Sequence, residues 1–136
     1  MKASEQLNKA ADLIESGWTQ GAHAKNSDGN CVAVTAPAAC QYCALGAMGK
    51  VAAHSDRRSA HLARTLMPAM QAAVAKQMRK LLTEKQRATI MQHKELTLNA
   101  KQASIIMQAN DNKETTQADV VKAFRDAAKE CEDAGN

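Results

Sequence analysis

Apolar residues recur at helical spacing along most of this chain, and strand-like alternation is confined to one short stretch. Leu7, Ala10, Ala11 and Ile14 fall on one face of a helix expected over residues 4–16. Ser4 is placed to cap its start, and Gly17 to end it in the left-handed conformation. From Trp18 the character changes. The turn-forming run Asn26-Ser27-Asp28-Gly29 separates Gln20–Lys25 from Cys31–Thr35, and Val32 and Val34 alternate in the second segment. This predicts a small β-hairpin over residues 20–35. Pro37 suits the first turn of a helix over 37–53, whose small residues would let another helix approach closely. Ser55 or Asp56 can cap a helix over 56–82. There Leu62, Leu66, Met70, Val74 and Met78 step by four along one side, opposite Arg57, His61, Arg64 and Arg79. Pro68 implies a kink, or two helices meeting near Met67.

The helical pattern resumes over 83–109. Met91, Leu98 and Ile105 are spaced by seven, as are Lys80, Arg87, Lys94 and Lys101, so a continuous helix would carry each set as one drifting stripe. Thr97 or Asn99 would break the stripe by capping a new helix. Asn110–Glu114 reads as a polar loop. Thr115 or Thr116 then caps a last helix over 116–132, which buries Val120, Val121, Phe124, Ala127 and Ala128 before a frayed end at Asp133–Asn136. The expected fold is mainly α: one compact helical domain of five or six helices with one small hairpin.

Composition supports this class. A chain of 136 residues fits a single domain. Only Trp18, Tyr42 and Phe124 are aromatic, so the core must be built from Ala, Leu, Ile, Val and the seven Met residues. Ala and Met favour helices, whereas aromatic and β-branched residues enrich strands. Lys2, Glu5, Asp12 and Glu15 interrupt the N-terminal apolar residues, which argues against a signal peptide. The least charged stretch, Cys31–Ala53, is broken by Pro37, Gln41, Gly46, Gly49 and Lys50 and does not read as a membrane span. A cytoplasmic protein with four reduced cysteines is expected.

The net charge of +4 is unevenly spread. Residues 1–56 carry four basic and five acidic side chains, and residues 102–136 carry four and seven. Residues 57–101 carry ten basic and two acidic, an island of +8. Such asymmetry suggests a surface for an acidic partner, either an acidic host protein or nucleic acid. Arg57, Arg58, Arg64, Lys80, Arg87, Lys94 and Lys101 are the candidate contacts. Lys and Arg on helices reach phosphates without a sequence motif. The segment holds no aromatic residue, which disfavours a single-strand stacking platform. Its Met residues offer an adaptable face for a protein groove, although Met at such spacing is usually core.

Cysteine is the sharpest candidate for chemistry. Cys40-Gln-Tyr-Cys43, with Cys31 nine residues earlier and His23 or His54, could form a tetrahedral zinc site. A second Cys-x-x-Cys or a paired His motif is missing, and Cys is also a common small core residue. A redox dithiol would place Cys40 near a helix start, but no βαβ pattern surrounds it. No His-Glu-x-x-His, Gly-x-Ser-x-Gly or phosphate-cradling Gly-x-x-x-x-Gly-Lys occurs. Glu130, Glu132 and Asp133 belong to a charged, solvated end. The sequence therefore favours a protein that binds over an enzyme, and names no catalytic residue. Oligomeric state stays open, since three seven-residue steps are too few to argue helix pairing.

Three pieces in order carry a family resemblance: Asp12-Leu-Ile-Glu-Ser-Gly-Trp18-Thr-Gln-Gly21, Cys43-Ala-Leu-Gly-Ala-Met48, and Asn110-Asp111 followed by Thr115 and Val120-Val121-Lys-Ala-Phe124. Together they resemble a family of small uncharacterised proteins found in bacteriophages and bacteria. The resemblance covers roughly residues 5–50 and 106–130 and omits the basic middle. It implies a phage or bacterial cytoplasmic protein, in the host cytoplasm if phage-encoded, and brings no activity and no catalytic residue with it. Joined to the basic island, the expectation is a small phage-type accessory protein that acts by binding, inhibiting or modulating a host macromolecule, through an acidic host protein surface or nucleic acid. Where the family places a Trp before Asn-Asp, this chain has Ala109, so packing there is expected to differ.

Overall fold

The computed structural model describes the backbone of residues 2–53 and 57–136 and the side chains of 2–53 and 66–136. The proposed caps Ser55 and Asp56, and His54, lie outside the described residues, as do the side chains of Arg57, Arg58, His61, Leu62 and Arg64. The elements run in the order α1 (Ala3–Ser16), β1 (Ala24–Lys25), β2 (Gln41–Tyr42), α2 (Ala44–Ala53), α3 (Arg57–Met78), a 3-10 turn (Arg79–Leu81), α4 (Glu84–Gln92), α5 (Leu98–Asp111) and α6 (Gln117–Asp133). The fold is a compact helical domain with one small antiparallel sheet.

The centre is the antiparallel pair α1 and α6; α2 packs on α1, α3 packs on both, and α5 joins through α3 and α2. Leu7, Ala10, Ala11 and Ile14 of α1 are fully buried against a stripe of Val120, Phe124, Ala127 and Ala128 on α6. Alanine at so many facing positions lets these two helices approach closely, and Phe124 supplies the bulk the aromatic-poor core otherwise lacks. Polar contacts fix the pair in register. The Arg125 guanidinium donates to the carbonyl and Oδ1 of Asn8 and pairs with Asp12 at 2.6 Å, and Gln117 donates to the carbonyl of Ile14 at 2.7 Å. Met70, Val74 and Met78 carry α3 into the same core.

Caps decide most of the helix boundaries. Thr83, Thr97 and Thr116 each accept a hydrogen bond from the amide three residues on, and Gln86 and Asp119 return the bond to the cap amide. Thr97 therefore divides the expected 83–109 helix into α4 and α5, and the stripe Lys80–Arg87–Lys94–Lys101 does not lie on one continuous helix. At the N-terminus Ser4 is buried inside α1, and the Glu5 carboxylate takes the Lys2 amide instead. Pro68 lies within α3. The C-terminus closes in an ordered turn: Gly135 at φ +86° lets the amides of Gly135 and Asn136 bond the carbonyls of Glu132 and Cys131. This is the Schellman arrangement, and the Asn136 carbonyl then accepts from the Ser4 amide, tying the two chain ends together.

The 18–43 segment departs most from the expectation. Asn26 does make the turn, its Oδ1 accepting from the amides of Asp28 and Asn30. After it, only Cys31 bridges back to Lys25. The strand that pairs with β1 is β2, with Ala24 opposite Tyr42 and Lys25 opposite Gln41. Extended pairing at Gln41–Tyr42 keeps α2 from starting until Ala44, so Pro37 occupies a turn ahead of it and not a first helical turn. On its other side Tyr42 bridges Trp18, which holds Gly17 extended at φ −177° rather than left-handed. A Cβ on Gly17 would lie 2.1 Å from the Cys40 carbonyl oxygen, so close approach explains the glycine. Among the described residues no helix is long and apolar enough to cross a membrane.

Candidate functional site

The pieces that carry the family resemblance are far apart in sequence but meet at one buried side chain. Asn110, 1 % exposed, sits in the last turn of α5 and not in a loop. Its Oδ1 accepts from the Trp18 indole at 2.9 Å and from the Ala44 amide at 3.0 Å. Its Nδ2 donates to the Thr19 carbonyl at 3.2 Å and to Asp111 Oδ1 at 2.9 Å. Gln20 donates from Nε2 to the carbonyls of Asn110 and Asn112, and the Gly21 amide donates to Asp111 Oδ1. Asn110 thus joins the Gly-Trp segment, the start of α2 and the end of α5, and uses both its acceptor and its donor in doing so.

Cys43 belongs to the same junction. It lies at the N-terminus of α2, where its sulfur accepts from the Gly46 amide at 3.3 Å and its own amide donates to the His23 carbonyl. Burial raises the thiol above its ordinary pKa, against the smaller lowering effect of the Gly46 and Leu45 amides, so the neutral thiol is the resting form. A Cβ on Gly46 would fall 1.8 Å from the His23 carbonyl oxygen. The Cys-x-x-Gly spacing therefore serves helix capping and close packing together. Beside this junction opens a cavity of about 200 Å³, bordered by His23, Cys43, Leu45, Met107, Asn110 and Asp111.

The three cysteines singled out for zinc lie in different settings. Cys31 and Cys40 are exposed and Cys43 is buried. Cys31 and Cys40 attach to opposite sides of the 24–25 strand, through the Cys31–Lys25 bridge and the Cys40 amide bonded to the Lys25 carbonyl. Cys43, not Cys40, is the one beside a helix start. Among the described residues no group of three or more His, Cys, Asp or Glu side chains is arranged to hold a metal ion.

The basic candidates are spread over several elements. Arg57, Arg58 and Arg64 belong to a segment whose side chains lie outside the described residues. Lys80 is exposed on the 3-10 turn, with its ammonium on Gln77 Oε1 at 3.1 Å. Arg87 is half-buried and donates to the carbonyls of Arg79 and Leu82, so part of its guanidinium closes the end of that turn. Lys94 is exposed between α4 and α5, and Lys101 is half-buried on α5. Lys76, outside the candidate set, pairs with Glu130 at 2.8 Å.

The turn between α4 and α5 also exposes apolar side chains. Every residue from Met91 to Asn99 is exposed, including Met91 at 55 %, Leu96 at 38 % and Leu98 at 72 %. Met91 and Leu98 do not share one helical stripe with Ile105, because the helix is interrupted between Gln92 and Leu98. Of α4 only Ile90 is buried.

A family of unknown function, DUF6197, matches residues 1–130. The chain belongs to this family. The matched range runs through the basic middle, which the shared sequence pieces alone had left out, so residues 57–101 are part of the family domain. No curated protein and no solved structure matches the chain. Membership in DUF6197 thus brings a common domain without an attached activity.

Proposed function

We propose that this protein is a small accessory protein of the phage type, acting in the host cytoplasm by binding an acidic host protein surface and modulating it. The observation that carries this reading is the exposed turn between α4 and α5, where Met91, Leu96 and Leu98 stand exposed together with Lys94, while Lys80 and Lys85 are exposed earlier in the same basic segment. Exposed apolar residues in a basic segment suit a protein interface, where apolar anchors supply affinity and charges supply steering. Contact with nucleic acid rests mainly on phosphates and gains little from exposed Leu and Met, so these apolar residues favour a protein.

The test is affinity purification from host lysate with and without nuclease, comparing the wild type with a Lys80→Glu/Lys85→Glu/Lys94→Glu variant and a Leu98→Ser variant. The expected result is one acidic protein retained after nuclease treatment and lost with both variants, while their circular dichroism spectra match the wild type. Retention by the charge-reversed variant would refute the electrostatic reading. Loss on nuclease treatment would replace the protein partner by nucleic acid.

A further inference from the structure

The cavity beside Asn110 has a charge character opposite to that of the chain as a whole. Although the protein carries +4, the only Asp, Glu, Lys or Arg among the described residues bordering the cavity is Asp111. Its carboxylate is held in place from one side: Oδ1 accepts from the Gly21 amide at 3.0 Å and from Asn110 Nδ2 at 2.9 Å. Oδ2 receives no hydrogen bond among the described residues. The rest of the lining is largely apolar, with Leu45 and Met107 as its largest side chains, and Cys43 contributes a neutral thiol. A fixed carboxylate with a spare oxygen beside an apolar wall suits one kind of ligand. It must have a cation at one end and a short hydrocarbon stem behind it.

We propose that this cavity binds a primary ammonium group carried on a short alkyl chain, with the ammonium on Asp111 and the stem against Leu45 and Met107. A volume of about 200 Å³ accommodates a chain of four or five carbons. The same chemistry is presented by a free alkylamine and by the lysine side chain of a partner. The inference is independent of the basic edge proposed as a partner surface, because it concerns a site of opposite charge.

Trp18 is the only tryptophan, and its indole N–H donates to Asn110 Oδ1, so its resonance reports on the lining. The probe is n-butylammonium, titrated against the full chain in 0.15 M NaCl and followed by the Trp18 indole cross-peak, with n-butanol as the neutral control. A saturable shift with a dissociation constant of about 1–10 mM is expected for a ligand this small. n-Butanol should be at least about tenfold weaker, and Asp111→Asn, which keeps an oxygen for the Gly21 amide, should weaken n-butylammonium by about the same factor. Should Asp111→Asn fail to fold, Met107→Ser, at an exposed position, shortens the apolar wall and should weaken n-butylammonium severalfold. An N-acetyl-lysine amide tells the two sources apart: binding as tight as n-butylammonium assigns the site to a partner's lysine, and exclusion assigns it to a free amine. Absence of a saturable shift, equal binding of n-butanol, or affinity unchanged in Asp111→Asn or in Met107→Ser would overturn the proposal.

Discussion

Replacing Asn110 by Ala tests whether one amide holds three distant segments of the chain together. In the wild type that side chain makes two accepted and two donated hydrogen bonds, all but one of them to segments at least 66 residues away. The substitution strands the Trp18 indole N–H, the Ala44 amide and the Thr19 carbonyl in a region where the lining is largely closed to solvent. A buried donor or acceptor left without a partner costs about 1–3 kcal/mol, and partial access of water to the half-buried indole lowers its share, so the sum is about 3–5 kcal/mol. For a domain of this size that corresponds to a melting temperature lower by roughly 10–15 °C. Urea denaturation followed by circular dichroism measures the loss. Trp18→Phe, which removes one donor and leaves Asn110 Oδ1 with the Ala44 amide, should cost only about 1 kcal/mol. The double variant should be less destabilised than the two single losses summed, because the indole bond is counted in both. A loss below about 1 kcal/mol for Asn110→Ala, or strict additivity with Trp18→Phe, would refute the view that this amide is the joint.

Gly46→Ala should abolish the folded state or cost several kcal/mol, roughly the upper range of single substitutions, since the new methyl meets the backbone carbonyl of His23 and not a movable side chain; soluble yield and the urea midpoint report it. Gln6 points the other way: it is fully buried and neither end of its amide has a partner among the described residues, so Gln6→Met should raise stability by about 1–2 kcal/mol. A lowered melting temperature would show that the amide is satisfied in solution. Ellman's reagent at neutral pH should modify two thiols rapidly, the exposed Cys31 and Cys40, and reach the buried Cys43 and Cys131 only on unfolding; four fast thiols would contradict the packing. Burial raises the thiols of Cys43 and Cys131 in the folded state. Their neutral forms thus stabilise the fold below the ordinary thiol pKa, and that contribution is lost as pH rises through the folded-state values. Melting temperature should fall more steeply on the alkaline side for the wild type than for a Cys43→Ala/Cys131→Ala variant, once each is referred to its own value at pH 7.

The amino-acid sequence by itself determined the helical class and the apolar faces of α1 and α6, and offered Thr97 and Thr116 as caps beside Asn99 and Thr115. These depend on spacings of three and four residues, and a threonine hydroxyl reaching an amide three positions on needs nothing from the rest of the chain. Other features needed tertiary structure. The β1 strand has two neighbours within reach, and the local turn at Asn26 favours the nearer one. Pairing with Gln41–Tyr42 wins because Tyr42 also bonds Gly17 and Thr19, a gain that exists only once α1 has placed Trp18 beside it. The outward turn of Met91 and Leu98 likewise follows from where α4 ends and how little of it finds a surface to cover. The motifs were visible as words in the sequence, but their shared purpose was not. Trp18, Ala44 and Asn110 lie up to 92 residues apart, and hydrogen bonds at that separation leave no periodicity for a reader of the chain to detect.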